Sequence, residues 1–466
     1  MSLRQEYGIA DVPTEQPIEQ PIEQDCESRV HDAMEGKLFY DFNRSGAYWM
    51  PNQHHGWILV NEGQLKRALK AAGISPKMFK GQHISALDER LLDIQGNWDV
   101  HYSGPLAGRD AGLHQVGGKR VLVTESPKLI RPVPGDWSVL EKFLRGLLVD
   151  GECDQLPYFY GWCKVVLVAL LSGQRRPGQV FVLCGPAGCG KSLLQNLFTL
   201  LLGGRSAKPY QYMTGKTPFN GELFEAEHLM IEDEQSSTDI RARREFGTKI
   251  KELTVNDTQR CHPKGRPALT LDPFWRVSIT INDEPENLLV LPPFDESLED
   301  KLILLKAFKK SMPMPTDRNE ERLMFWKALT DGLPGFIDFL KSWEIPDALR
   351  SERFGIQHFH HPDLIKALQT LAPEQKLLRI LDCALFEVIP LVVPRDIWTG
   401  SAERLEQALT QQDAAFAYET RKLLTWPNAM GTYLGRLAKQ APERVSYERT
   451  SRERLWKIKC PPKGDQ

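Results

Sequence analysis

A lysine and a serine that close the octapeptide GPAGCGKS at 185–192 are the residues of this sequence best suited to chemistry. Backbone N–H groups can wrap phosphate oxygens only where side chains are small, as Gly185, Gly188 and Gly190 are, with Pro186, Ala187 and Cys189 between them. Lys191 brings a positive charge to those phosphates, and Ser192 brings a hydroxyl to Mg²⁺. The expected ligands are ATP and Mg²⁺. A second group of candidates ends the apolar run HLMIEDE at 228–234. Asp233 is suited to hold Mg²⁺ and Glu234 to polarise an attacking water, since hydrolysis needs metal and nucleophile in line. Glu232 takes the acidic role if the register differs by one.

A third run, RVSITIN at 276–282, ends in Asn282, whose side chain can hold water or a terminal phosphate where strands converge at their carboxyl ends. Between the acidic run and this one lies TQRCHPKGRPALTL at 258–271. Its Pro-Lys-Gly suits a tight turn, so a hairpin presenting His262, Lys264 and Arg266 at its tip is expected there.

An α/β frame is needed to position these groups, and the flanks of the octapeptide supply its first unit: QVFVLC reads as a buried strand and LLQNLFTLLL as a helix. The rest of the chain divides around it. Residues 1–35 contain the Pro/Glu/Gln repeat TEQPIEQPIEQD and are expected to be a disordered tail. Residues 36–136 alternate short strand-like pieces, KLFYDF, AYWM, GWILV and KRVLVT, with the helical EGQLKRALKAAG, and read as a small N-terminal α+β module. A helical connector is expected over 137–178, the ATPase domain over 179–310 and a helical region over 319–390. Three helix-like stretches and two strand-like pieces within 398–460 suggest a winged helix. Its cations, Arg436, Lys439, Arg444, Arg449, Arg452, Arg454, Lys457 and Lys459, suit phosphate contacts on duplex DNA. Tyr48, Trp49 and Trp57 near Arg44 and Lys66 have the chemistry to stack on single-stranded bases, although large aromatics in such a module belong first to its core.

The composition bounds the reading. With 466 residues the chain has room for about three domains. A net charge of −2 makes any nucleic-acid surface a local patch. Eight cysteines without CxxC spacing fit reduced thiols in a cytoplasm, and a disulfide between Cys184 and Cys189 would distort the loop they bracket. Apolar stretches such as VVLVALL are too short for a membrane span, so no membrane partner is expected. The pairs His54–His55 and His360–His361 have no partners at metal-ligand spacing and read as surface or core histidines.

The order of phosphate loop, acidic strand, basic hairpin and Asn-ended strand resembles that of the superfamily III helicases of the AAA+ class, and more closely the phage, plasmid and poxvirus-type primase-helicases. The resemblance implies a P-loop AAA+ core, a homo-hexameric ring with ATP between subunits, and hairpins that grip one DNA strand in a central channel. His262 and Lys264 occupy the hairpin positions where such rings carry His and Lys. An arginine reaching a neighbour's nucleotide is expected after the Asn-ended strand, but the matching stretch offers Lys301. Arg244, then Lys301, then Arg176 beside Arg175 are the candidates for that trans-acting role, which is worth about 10³–10⁵ in rate. The N-terminal module lacks a paired-aspartate primase motif, so any primase is a separate chain. The expected activity is ATP-dependent unwinding or translocation on single-stranded and forked DNA during replication of a phage, plasmid or other mobile element. Three rivals share the loop: a replication initiator or helicase loader, a protein-remodelling ATPase in phage defence, and a small-molecule phosphotransferase.

Overall fold

A computed structural model of the chain describes residues 38–44, 46–52, 56–151, 153–173, 176–232, 240–284, 287–292, 296–387, 396–449 and 453–461. The tail expected over 1–35 lies outside them, as do His54, His55, Arg175, Asp233, Glu234 and Arg452. The chain forms two compact units, one ending at His361 and one beginning at Pro362.

A parallel five-stranded sheet organises the first unit. Its strands are β1 (Val180–Cys184), β2 (Ser206–Ala207), β3 (His228–Glu232), β4 (Arg276–Ile281) and β5 (Leu302–Lys306), in the order β2-β3-β4-β1-β5. Every residue of β1 and β4 is buried, which explains why both read as near-continuous apolar runs rather than alternating ones. Its helices include α1 (Ser138–Leu148), α2 (Leu156–Ser172), α3 (Lys191–Leu201), α4 (Ile240–Val255), α5 (Asn319–Asp331) and α6 (Leu333–Ser342). Phe143 of α1, Trp162 of α2, Phe181 of β1, Phe198 of α3, Phe325 of α5 and Phe336 of α6 share one buried core. The stretch read as a connector is therefore part of the body that supports the loop. The stretch 319–390 is divided: α5 and α6 lie in this core, whereas the next helices belong to the second unit.

The N-terminal module holds a four-stranded sheet (Phe39–Asp41, Ala47–Asn52, Gly56–Val60, Asp99–Val100) and a three-stranded one (Tyr102–Gly104, Gly112–Val116, Lys119–Val123). Tyr48 and Trp49 are buried, and the Tyr48 hydroxyl accepts a bond from Gln95 Nε2 at 2.6 Å, so these aromatics are core. The module is fastened to the chain on both sides of the hairpin. Ala107 N donates to Phe224 O (2.8 Å), Phe274 N to Ala107 O (3.0 Å) and Gly108 N to Glu227 Oε1 (2.8 Å). Gly108 has φ +77°, and a Cβ there would lie 2.3 Å from Phe274 Cβ, so only glycine allows this approach.

The second unit contains α7 (Pro362–Leu371), α8 (Pro373–Asp382), α9 (Ala402–Thr410), α10 (Ala417–Leu423) and α11 (Ala429–Gln440). Strands β6 (Ile397–Gly400), β7 (Val445–Arg449) and β8 (Arg454–Lys459) form an antiparallel sheet in the order β6-β8-β7. Leu405, Met430, Tyr433, Leu434, Trp456 and Ile458 close its core. Helices α9 to α11 and the β7–β8 hairpin fall where the apolar periodicity predicts them, and β6 is an additional strand. Among the described residues no helix is long and apolar enough to cross a membrane.

Candidate functional site

The strands end in register around the 185–192 loop: Cys184 of β1 lies opposite Ile281 of β4 and Lys306 of β5, while Glu232 of β3 lies opposite Thr280 of β4. Gly188 (φ +72°) and Gly190 (φ +105°) take left-handed backbone conformations that a side chain would strain. At Gly185 a Cβ would lie 2.4 Å from Ala307 O, so that position admits no larger residue. Gly190 caps α3 without any side-chain bond, which leaves the first N–H groups of the helix for an anion.

Lys191 is buried, and its Nζ donates to Gly185 O (2.7 Å), Pro186 O (2.8 Å) and Asn282 Oδ1 (2.9 Å). Two of the predicted site residues, Lys191 and Asn282, thus meet directly. Ser192 is exposed in the first turn of α3, as a metal-directed hydroxyl must be. This donor set fits a triphosphate with Mg²⁺: glycine backbone, an uncapped helix N-terminus, a cation and a hydroxyl. Glu232 pairs with Lys208 Nζ at 2.9 Å, so the alternative acidic residue is already engaged. Asp233 and Glu234, which follow it, lie outside the described residues. Burial pushes the Cys184 thiol up to about 12 and also raises that of Cys189, so both sulfurs are protonated and unreactive at neutral pH. Neither is in a disulfide.

A buried polar network missing from the sequence reading ties α3 to β3 and β4. Gln195 Nε2 donates to Ile231 O (3.1 Å) and Ser278 Oγ (2.9 Å), and Thr280 Oγ1 donates to Gln195 Oε1 (3.0 Å). His228, fully buried, contacts Thr199 Oγ1 through Nδ1 and Ser278 Oγ through Nε2, each at 2.7 Å. Burial drives its pKa down to about 3, so the ring is neutral. The only signal was the polar residues interrupting three apolar runs.

The hairpin forms between strands Gln259–Cys261 and Leu269–Leu271. Arg266 N donates to Pro263 O at 3.4 Å, and Gly265 at φ +74° supplies the turn's third position. Lys264 is exposed at the tip. Its two expected companions are placed differently. His262 packs against Phe219, with ring centroids 5.1 Å apart, and its N–H donates to Asn220 Oδ1 at 2.7 Å. Arg266 is half-buried, and with Arg44 and Arg205 its charge acts on the carboxyl of Glu225. Desolvation raises the Glu225 pKa, and the three cations oppose that rise. The reason is geometric: a tight turn exposes its two central residues, while its flanks face the body.

Among the candidates for a trans-acting cation, Lys301 is 8% exposed and pairs with Asp300 Oδ1 at 2.6 Å, which holds it within its own unit. Arg244 is exposed on α4, and Arg176 is exposed before β1. In the second unit Arg436 pairs with Glu374 Oε2 at 3.4 Å and lies over Tyr433, and Arg444 pairs with Asp382. Those two arginines brace their own unit. Lys439, Arg449, Arg454 and Lys459 are exposed, and Lys457 pairs with Glu448.

Comparison with known proteins adds an architecture. A model of a family of unknown function (DUF5906) matches residues 183–297, a minority of the chain that spans the loop, β3, the hairpin and β4. No curated protein matches. The apo structure of the NrS-1 C-terminal region (305–718) superposes with a TM-score of 0.52 at 12% identity, covering 94% of this chain and 100% of that one. Its A form gives a TM-score of 0.52 at 12% identity, covering 94% and 99%. The chain shares its fold with that region. A JCV helicase structure matches with a TM-score of only 0.23 at 14% identity, over 50% of this chain and 65% of that one, too little to bear on the fold. The NrS-1 likeness bears on the fold, and the chemistry rests on the residues above.

Proposed function

We propose that this chain is an ATP-dependent DNA helicase or translocase with an AAA+ core, acting as a hexameric ring in the replication of a phage, plasmid or other mobile element. The observation that carries the reading is the course of β4. This strand begins just after the basic hairpin and ends at Ile281, next to Asn282, whose Oδ1 accepts from Lys191 Nζ at 2.9 Å. A buried strand of six residues spans roughly 20 Å with little give, so a change at the phosphate end is passed to the Lys264 turn.

In this reading the 185–192 loop and Lys191 bind the triphosphate, and Ser192 with Asp233 holds Mg²⁺, which neutralises charge on the phosphates. Glu234 orients the attacking water. Asn282 holds Lys191 before nucleotide binds and can turn to the terminal phosphate afterwards. Arg244, exposed on α4, is the first choice for the cation reaching a neighbour's site, which makes turnover depend on assembly. Lys264 grips the backbone of single-stranded DNA, and the exposed Lys439, Arg449, Arg454 and Lys459 of a winged-helix second unit help engage duplex DNA.

The test is ATP hydrolysis by the full chain with and without single-stranded DNA, alongside particle images of the same preparations. DNA-stimulated hydrolysis by a ring supports the reading. A monomer with full hydrolysis in the absence of DNA contradicts it.

A further inference from the structure

At the opposite end of β5 from the phosphate loop, two chain segments bring Glu299, His358 and His360 together, with one ligand atom of each lying within 4.8 Å of the others. Glu299 closes a short helix, Glu296–Glu299, just before β5. The two histidines come from an extended segment that runs beside β5. Leu304 N donates to Phe359 O at 2.7 Å and His361 N to Leu304 O at 2.9 Å, so this segment pairs with the sheet edge in parallel register. Extended backbone alternates its side chains. Phe359 therefore points to one face, where it stacks on Tyr158 with centroids 4.5 Å apart, and His358 and His360 share the other. Their rings lie 4.9 Å apart.

The spacing distinguishes a shared ion from a simple ion pair. His358 Nε2 and Glu299 Oε1 are 3.8 Å apart, beyond hydrogen-bond reach. Two ligand atoms bound tetrahedrally to zinc at 2.0–2.1 Å are themselves about 3.3 Å apart, so a shift of a few tenths of an ångström brings this pair onto one ion. His360 Nε2 lies 3.1 Å from Leu302 O, a backbone bond of the kind that orients metal-bound imidazoles. The backbone beneath is rigid: Gly355 and Gly161 leave no room for a Cβ against Val165 and Ile356. We infer that Glu299, His358 and His360 form a binding site for a divalent zinc-class ion that clamps the 349–361 segment to the edge of the sheet.

Two imidazoles and one carboxylate are a borderline-soft set that suits Zn²⁺ over Mg²⁺ or Ca²⁺, with water completing the coordination. The site is separate from ATP chemistry and holds whether or not the chain unwinds DNA. To test it, the full-length protein is stripped with EDTA, loaded with Zn²⁺, desalted and assayed for metal, and its melting is followed with and without Zn²⁺. The wild-type chain should retain about one zinc and melt at a higher temperature when loaded. The H358A/H360A variant should lose both effects. E299Q, a change at an exposed side chain that leaves folding intact, should weaken retention at least about tenfold. Absence of zinc from the wild-type chain would overturn the inference. So would equal retention by H358A/H360A, which would assign the metal to thiols elsewhere.

Discussion

The phosphate end of the sheet and the tip of the hairpin are built in opposite ways. At the phosphate end Lys191 is 7% exposed, held by three oxygens and backed by strands with no exposed residue. At the tip Lys264 stands in solvent on a turn closed by one backbone bond of 3.4 Å, and the flanking His262 is anchored through Asn220. Under the proposed function, the contrast separates a charge fixed for chemistry at one site from one exposed to a long polymer at the other. β4 joins the two. If that division is real, substitutions at the two lysines should separate hydrolysis from its response to DNA.

The largest effect is expected for Lys191→Ala, which should cut ATP hydrolysis by at least about 10²–10³-fold with or without DNA, measured by phosphate release. Residual DNA-stimulated hydrolysis near the wild-type rate would dissolve the distinction. Lys264→Ala should leave basal hydrolysis intact and remove its stimulation by single-stranded DNA, together with the salt sensitivity of that stimulation. Next comes Gln195→Leu, which removes one partner each from Ser278 Oγ, Thr280 Oγ1 and the Ile231 carbonyl. It should cost about 1–3 kcal/mol in denaturant unfolding, and slow hydrolysis more than it weakens DNA binding.

The effect that is smallest at neutral pH concerns His228. Its folded pKa is about 3 against 6.5 for the free side chain, so below pH 6.5 the unfolded chain takes up a proton that the folded chain does not. Stability from this group is complete above pH 6.5 and falls by about 1.4 kcal/mol per unit as pH drops toward 3. Denaturant titrations of His228→Gln should show that component of the slope removed. An unchanged slope would mean that the ring is charged within the fold.

The sequence made the phosphate end legible because its parts are local: a strand, a glycine turn and a helix start lie within a few residues of one another. Asn282 and the Lys264 turn could be read in the same way, from a polar residue ending an apolar run and from Pro-Lys-Gly. Features that depend on distant segments could not be read locally. His262 and Arg266 look like equals of Lys264 in a basic stretch, yet both are half-buried, and the His262 ring lies against Phe219. Lys301 reads as available because Asp300 beside it gives no sign that the lysine is buried at the start of β5. Arg436 is claimed by Glu374, 62 residues away along the chain. His360 read as a lone pair-member with His361, because its partners Glu299 and His358 meet it only when the 349–361 segment reaches the sheet edge.

The central claim is that nucleotide chemistry at Lys191 is coupled through β4 to a DNA grip at Lys264. Strand displacement from a forked duplex, followed with ATP and Mg²⁺ for the wild-type chain and for Lys264→Ala at equal basal hydrolysis, tests it most directly. The account predicts unwinding by the wild-type chain and its loss in the variant; a variant that unwinds as fast as the wild type would contradict it.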